Sequence, residues 1–294
     1  MILLTGATGY VGGRLLAELE RLGRPVRALA RTPEKLEGRA AETTEVAAGD
    51  VTDRASLDRA LDGVEAAYYL VHSLDSGAFG DEDRKAAETF AAAAAAAGLE
   101  RIVYLGGIGR GEDLSRHLAS RQEVGRLLRE SPTPTVELRA SIVIGDGSVS
   151  FDALRLLVER LPAALLPSWV RTPSQPIAVD DVVDYLVQAL DTPLEASEVV
   201  EIGGADAVPY LEIIDEIARQ TGKTRLFVPV PTPEPPIKLD DLPLDGLAPE
   251  RVAVVARLVD SLRFDTSVQS DRAARLFPSI RPRGLQEAVA AALA

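Results

Sequence analysis

The run Ile2-Leu3-Leu4-Thr5 leads without a break into Gly6, Gly9 and Gly12, three glycines at three-residue spacing, and then into the helical pattern of Arg14 to Leu22. Few folds begin this way. Gly6 permits a tight turn, Gly9 lets the backbone come against a phosphate, and Gly12 lets the helix pack closely on the strand. The helix N-terminus then offers N–H donors and the positive end of its dipole. A bare glycine triplet is weak evidence; a strand before it and a helix after it make it specific. The segment reads as a dinucleotide site, with Gly6, Thr8, Gly9, Tyr10, Val11 and Gly12 as its cofactor-binding residues.

Strand-like runs at 2–5, 26–30, 45–48, 67–71, 102–105 and 135–139 alternate with helical stretches near 11–22, 53–62, 82–97 and 119–130. Alternation of this kind builds a parallel sheet, and apolar strands with right-handed crossovers give a Rossmann-type doubly wound α/β fold. Ligand then lies at the carboxyl ends of the strands. The alanine run Ala91 to Ala97 reads as a buried helix, since alanine has the best helix propensity and packs closely. After Gly145 the rhythm changes to helices near 150–161, 180–190, 209–220 and 284–293 with prolines between them. We expect a smaller, partly interleaved C-terminal substrate lobe at 149–294, with 1–148 as the cofactor domain and 174–192 packing back on it. The proline-dense stretch Val230 to Pro236 excludes regular structure. An acidic loop at 240–242 and a helical pattern at 249–262 follow it.

Composition narrows the function. A formal charge of −13 over 294 residues argues against nucleic acid or an anionic membrane as partner. The absence of cysteine excludes disulfides and thiolate chemistry and fits a reducing cytoplasm. With only His72 and His117 present, a multi-histidine metal site is not expected. No targeting or membrane-spanning pattern is evident, so a soluble cytoplasmic monomer or homodimer with a small-molecule partner is expected.

Several further motifs follow in order: Gly49-Asp50, Val103-Tyr104-Leu105-Gly106-Gly107, Glu137-Leu138-Arg139, and Gln175-Pro176-Ile177-Ala178-Val179-Asp180-Asp181-Val182. Together with the glycine turn, they make the chain resemble the atypical extended short-chain dehydrogenase/reductases, in particular the NmrA-like NAD(P)H-binding group. The resemblance implies that Asp50 and Val51 border the adenine and that Leu70, Val71 and His72 line the ribose nearest the nicotinamide. Gly106 and Gly107 fall at the corresponding end of the fifth strand. At the end of the second strand stands Arg31, where an NAD-selective site usually places a carboxylate. An arginine suits a 2′-phosphate, which favours NADP(H) and leaves NAD(H) open, with neither metal nor flavin.

The chain departs from the family where its alcohol and ketone reductases carry a serine and a Tyr-x-x-x-Lys. Gly107 stands in place of the serine, and His117-Leu118-Ala119-Ser120-Arg121 fills the other frame. Histidine is a side chain able to titrate near neutrality, so His117 suits proton donation; as a bland alternative it is a surface histidine at a helix start. Arg121 suits the nicotinamide ribose but cannot give up a proton as lysine does. His72 is the third candidate catalytic residue, since its strand end faces the cofactor. Tyr69 and Tyr104 read as core with satisfied hydroxyls, and Asp180 and Asp181 as helix-capping acids.

The expected activity is NAD(P)H-dependent reduction of a conjugated or quinone-like aromatic carbonyl, because charge that spreads into the product lessens the need for a strong acid. Onward reaction of the reduced product with O2 would give net hydroxylation, as in polyketide tailoring. The alternative is a non-catalytic NAD(P)-binding redox sensor. A sugar-nucleotide epimerase or dehydratase fits least, since it depends on the missing acid/base pair.

Overall fold

The computed structural model describes residues 1–72, 79–111, 114–231 and 263–294. Most of the proline-dense break, the acidic loop and the helical pattern at 249–262 lie outside the described residues. The strands are β1 (Ile2–Thr5), β2 (Val26–Ala30), β3 (Glu45–Ala48), β4 (Ala66–Tyr69), β5 (Arg101–Gly107), β6 (Thr135–Ala140), the short β7 (Val143–Ile144), β8 (Ala163–Pro167), β9 (Pro173–Ser174) and β10 (Ile177–Ala178), then β11 (Glu198–Ile202), β12 (Val208–Pro209) and β13 (Leu226–Val230). The described helices are α1 (Tyr10–Arg21), α2 (Arg54–Ala60), α3 (Phe79–Ala97), α4 (Arg116–Glu130), α5 (Val149–Arg160), α6 (Val179–Asp191), α7 (Tyr210–Gln220), α8 (Arg272–Leu276) and α9 (Leu285–Leu293).

Seven of these strands form one parallel sheet in the order β11-β6-β5-β4-β1-β2-β3. This is the doubly wound α/β arrangement, and its strand order reverses between β1 and β4, where such sheets hold ligand. Successive residues serve opposite faces, as a pleated strand requires. Leu4, Tyr68 and Leu138 pack with Leu15 and Leu19 of α1 and Val182 and Leu186 of α6, while Leu3, Tyr69, Ile102 and Tyr104 pack with Phe90 of α3 and Leu128 of α4. A third core joins Phe151 and Val158 of α5, Leu166, Ile213 and Ile217 of α7, and Val289 of α9.

Local pattern and structure differ in three informative places. The strand β11 was not signalled, because Glu-Val-Val-Glu-Ile carries two carboxylates; they face Arg272 at 2.8 Å and Arg110 at 2.5 Å along the sheet edge. Edge strands commonly carry such charges. The alanine run is buried on one side only: Ala93 and Ala94 have no exposed surface, while Ala92 and Ala96 face solvent. Asp181 does not cap α6, whose N-cap is Ala178 without a side-chain cap. Instead its buried carboxylate accepts from the Arg283 backbone N–H at 2.7 Å and from its guanidinium at 2.9 Å, tying the C-terminal segment to α6. Burial outweighs that arginine and pushes the Asp181 carboxyl above its ordinary range.

Glu137 of β6 is fully buried between Arg129 and Arg139, each donating to one carboxylate oxygen at 2.7 Å. Space for it exists because Gly125 of α4 has no side chain: a Cβ there would lie 2.3 Å from the carboxylate carbon. Gly125→Ala is therefore expected to lower stability by roughly 1–3 kcal/mol, the usual cost of overpacking, with urea denaturation as the measurement. An unchanged midpoint would refute the packing account.

Candidate active site

At the end of β1 the chain turns on Gly6, at φ +80°. No other residue type fits, since a Cβ at Gly6 would meet the Leu70 carbonyl oxygen at 2.5 Å. One turn into α1, a Cβ at Gly12 would lie 2.1 Å from the Gly6 oxygen. The Gly9 N–H donates to that same oxygen at 2.9 Å. Gly9 is the N-cap of α1 and no side chain caps the helix, while Thr8 and Gly9 are exposed. A glycine-lined turn ending on an uncapped helix N-terminus fits a pyrophosphate. Tyr10 and Val11 are the first two residues of α1. The Tyr10 ring lies by Gly145 and Gly147, with the Arg14 guanidinium 5.2 Å over its face, and burial pushes its phenol up to about 12.

Arg31 follows β2 directly and is exposed. The guanidinium of Arg39 lies over the first turn of α1, 2.8 Å from where a Gly13 Cβ would stand. Asp50, after β3, folds back on its own loop: its Oδ1 accepts from the Thr52 N–H and hydroxyl at 2.8 Å each. Val51 beside it is buried.

Thr5 Oγ1 donates to the Tyr68 carbonyl at 3.0 Å and accepts from the Leu70 N–H at 3.2 Å, so β4 stops at Tyr69 and Leu70, Val71 and His72 leave the sheet. His72 and His117 come together there. His72 Nε2 lies 3.1 Å from His117 Nδ1, and His72 Nδ1 lies 2.6 Å from Asp83 Oδ2. That oxygen also accepts from the Ser120 hydroxyl at 2.9 Å. His117 is buried, which removes its reading as a surface histidine; Ser115 caps α4 through the Leu118 N–H and starts the helix three residues earlier than the pattern suggested. Among the described residues no group of three or more His, Cys, Asp or Glu is placed to hold a metal ion.

Gly106 and Gly107 end β5 in buried positions. A Cβ at Gly107 would crowd Leu118 Cδ2 at 3.1 Å and touch the Arg121 stem, so the place of the family's serine is already filled. Arg121 donates to the Leu105 carbonyl and lies 5.9 Å over the Tyr104 ring. Tyr104 in turn donates its hydroxyl to the Arg121 carbonyl at 2.9 Å, and Tyr69 packs on Phe90 with ring centroids 4.9 Å apart. Both tyrosines are core.

Sequence reasoning missed Asp83, Ser120 and Arg39. A signal existed for the first two. Asp83 lies on the stripe of Ala86, Ala87, Phe90 and Ala94, all buried on α3, and Ser120 lies in line with His117, Val124 and Leu128 on α4. A polar residue on an apolar helical stripe asks for a buried partner. Nothing local marks Arg39, which reaches the first turn of α1 only through the tertiary fold.

A family described as NAD(P)H-binding matches residues 6–143. The (4-alkanoyl-5-oxo-2,5-dihydrofuran-3-yl)methyl phosphate reductase of Streptomyces griseus is 32% identical over 235 residues, covering 77% of this chain and 76% of that protein. Among solved structures, the triphenylmethane reductase of Citrobacter sp. complexed with NADP(H) superposes with a TM-score of 0.77 at 20% identity, covering 99% of each chain. An NADPH-dependent quinone oxidoreductase of Escherichia coli complexed with NADPH gives 0.75 at 21% identity, again over 99% of each. These two show the shared fold.

Gly12→Ala places a methyl against the Gly6 carbonyl and lifts α1 from the turn. Calorimetric titration with NADPH is expected to show binding weaker by about tenfold or more, equivalent to about 1.4 kcal/mol. Equal affinity would remove the turn from the cofactor site.

Proposed function

As a member of the NmrA-like branch of the atypical short-chain dehydrogenase/reductases, the chain is an NAD(P)H-dependent oxidoreductase, and we propose that it reduces a conjugated carbonyl compound with NADPH, using His117 as proton donor. The observation that carries this reading is the buried His72–His117 contact where β4 leaves the sheet, with His117 in the frame the family gives to tyrosine.

The nicotinamide, when bound, supplies a hydride to an electrophilic carbon of the substrate. The protein's own part is to hold the dinucleotide and to manage charge and proton. Backbone N–H groups at the start of α1 meet the pyrophosphate, and Asp50 and Val51 border the adenine. Arg31 after β2 and Arg39 over the first turn of α1 are the cations suited to a 2′-phosphate, which a planar guanidinium binds through two parallel hydrogen bonds. Leu70, Val71 and the glycine end of β5 border the place of the reacting ring. Arg121, bound to the Leu105 carbonyl beside Gly107, keeps a fixed positive charge near it.

A conjugated substrate suits this equipment. Addition at the carbon remote from the carbonyl produces an enolate or hydroquinone anion whose charge is spread over several atoms. A histidine that draws on an imidazolium proton protonates such an anion readily, whereas an isolated alkoxide gains more from a phenol activated by lysine. The name of the Streptomyces relative describes a ring alkene conjugated to a lactone carbonyl and an alkanoyl group, which supports the same class. Quinone-like aromatic carbonyls of the polyketide type fall within it.

The test is NADPH oxidation with an alkanoyl butenolide, menadione and cyclohexanone. Conjugated compounds are expected to exceed the isolated ketone in kcat/KM by about tenfold or more, and His117→Gln is expected to lower kcat by about 10–100-fold. Arg31→Ala combined with Arg39→Ala is expected to raise KM for NADPH by about tenfold and leave NADH nearly unchanged. Binding of NADPH without turnover of any compound would instead support a redox sensor.

A further inference from the structure

We propose that Asp83 and His72 are positioning residues that hold and renew the proton on His117, so that the three side chains form a relay ending at His117 Nε2. This rests on the reading of His117 as proton donor.

The contacts set the direction of the relay. Asp83 Oδ2 receives two groups, the Ser120 hydroxyl at 2.9 Å and His72 Nδ1 at 2.6 Å. Ser120 donates to this oxygen, which suits an ionised carboxylate, and a carboxylate holds the His72 proton on Nδ1. His72 Nε2 then faces His117 Nδ1 at 3.1 Å, and two protonation states follow. In the neutral state His117 Nδ1–H donates to His72 Nε2, and His117 Nε2 is a base. With one more proton, His72 is an imidazolium that donates to Asp83 from one nitrogen and to His117 Nδ1 from the other. Only in that state does His117 Nε2 carry a proton to give.

Packing gives no competing reason for this cluster. Asp83, His117 and Ser120 are all buried, on helical stripes otherwise made of Ala86, Ala87, Phe90, Val124 and Leu128. Replacing buried ion pairs by well-packed apolar residues is often neutral or stabilising, because pairing seldom exceeds the desolvation cost. Several ionisable groups surround the pair. From β4 and β5 come the phenols of Tyr69 and Tyr104, both held neutral by burial. From α4 come Arg116, next to His117, and Arg121, bound to the Leu105 carbonyl. Arg84 of α3 and Glu123 of α4 face each other at 3.3 Å and offset one another. Among the described residues Asp83 is an anion in direct contact with the His72 ring, and its charge favours the extra proton.

The step balances. As the reduced substrate accumulates negative charge, the bond from His117 Nε2 to its proton breaks and the proton passes to the substrate. His117 Nδ1 takes the proton from His72 Nε2, and His72 remains neutral with its Nδ1–H on Asp83. One proton from water restores the starting state, and no electrons move within the relay.

The chain has only two histidines, so histidine-selective nitrogen NMR of the protein without cofactor contains two rings. His72 is expected to carry its proton on Nδ1, and both rings are expected to respond together to uptake of a single proton. In Asp83→Asn that uptake is expected to move about one pH unit or more lower, the usual effect of removing a contacting opposite charge. With menadione, the kcat of Asp83→Asn is expected to fall away with rising pH at a correspondingly lower pH, with NADPH affinity unchanged within about twofold. Should Asp83→Asn fail to fold, Ser120→Ala serves: loss of a donor makes the carboxylate more basic, and uptake is expected to move to higher pH. Independent titration of the two rings, or an unchanged midpoint in the variant that folds, overturns the relay. Failure of the wild type to reduce any compound overturns the proposed reaction while the NMR result still decides the relay.

Discussion

The architecture depends on one close approach of backbone to backbone. The carbonyl of Gly6 lies where a Cβ of Gly12 would stand, 2.1 Å away, and the carbonyl of Leu70 occupies the corresponding place at Gly6. Side chains at either position would push α1 or the end of β4 away from β1. Without them, three main-chain segments meet at one point, and Thr5 fastens the junction by bonding to both Tyr68 and Leu70. The helix N-terminus that suits a phosphate and the residues leading into His72 are thus positioned by the same contacts. Main-chain contacts of this kind hold a site more rigidly than flexible side chains do.

The buried carboxylates divide by partner. Glu137 is held by Arg129 and Arg139, and Asp181 by Arg283. Guanidinium groups keep their charge at any working pH, so these pairs are fixed fastenings of the fold. Asp83 alone of the three is paired with an imidazole, a group that exists in both neutral and charged forms. It stands at the carboxyl end of the sheet, where the strand order reverses.

The departure from the family's usual catalytic set is a coherent rearrangement. With Gly107 in place of serine, Leu118 and the stem of Arg121 fill the space beside β5. With histidine in place of tyrosine, the proton donor can no longer draw on a neighbouring lysine, and Arg121 cannot serve because it does not deprotonate. In the proposed reaction the acid function passes to His117, supported by a second histidine and an aspartate of α3. A weaker, renewable acid of this type goes with substrates that disperse their developing charge.

The amino-acid sequence by itself determined the features that depend on neighbours in the chain. The strand, glycine turn and helix at the start and the alternation from β1 to β6 were legible, because periodicity and turn chemistry act over a few residues; His72 and His117 stood out only as separate candidates. Expectations that the structure changed, such as the capping role of Asp181 and the exposure of His117, concerned what a side chain meets across the fold. The edge strand β11, the partnership of Asp83 with His72, the place of Ser120 and the arrival of Arg39 over Gly13 were decided only by tertiary structure. Each joins segments distant in sequence, and a contact that arises when separate helices and strands are packed together leaves only a faint local trace, such as a single polar residue on an otherwise apolar stripe.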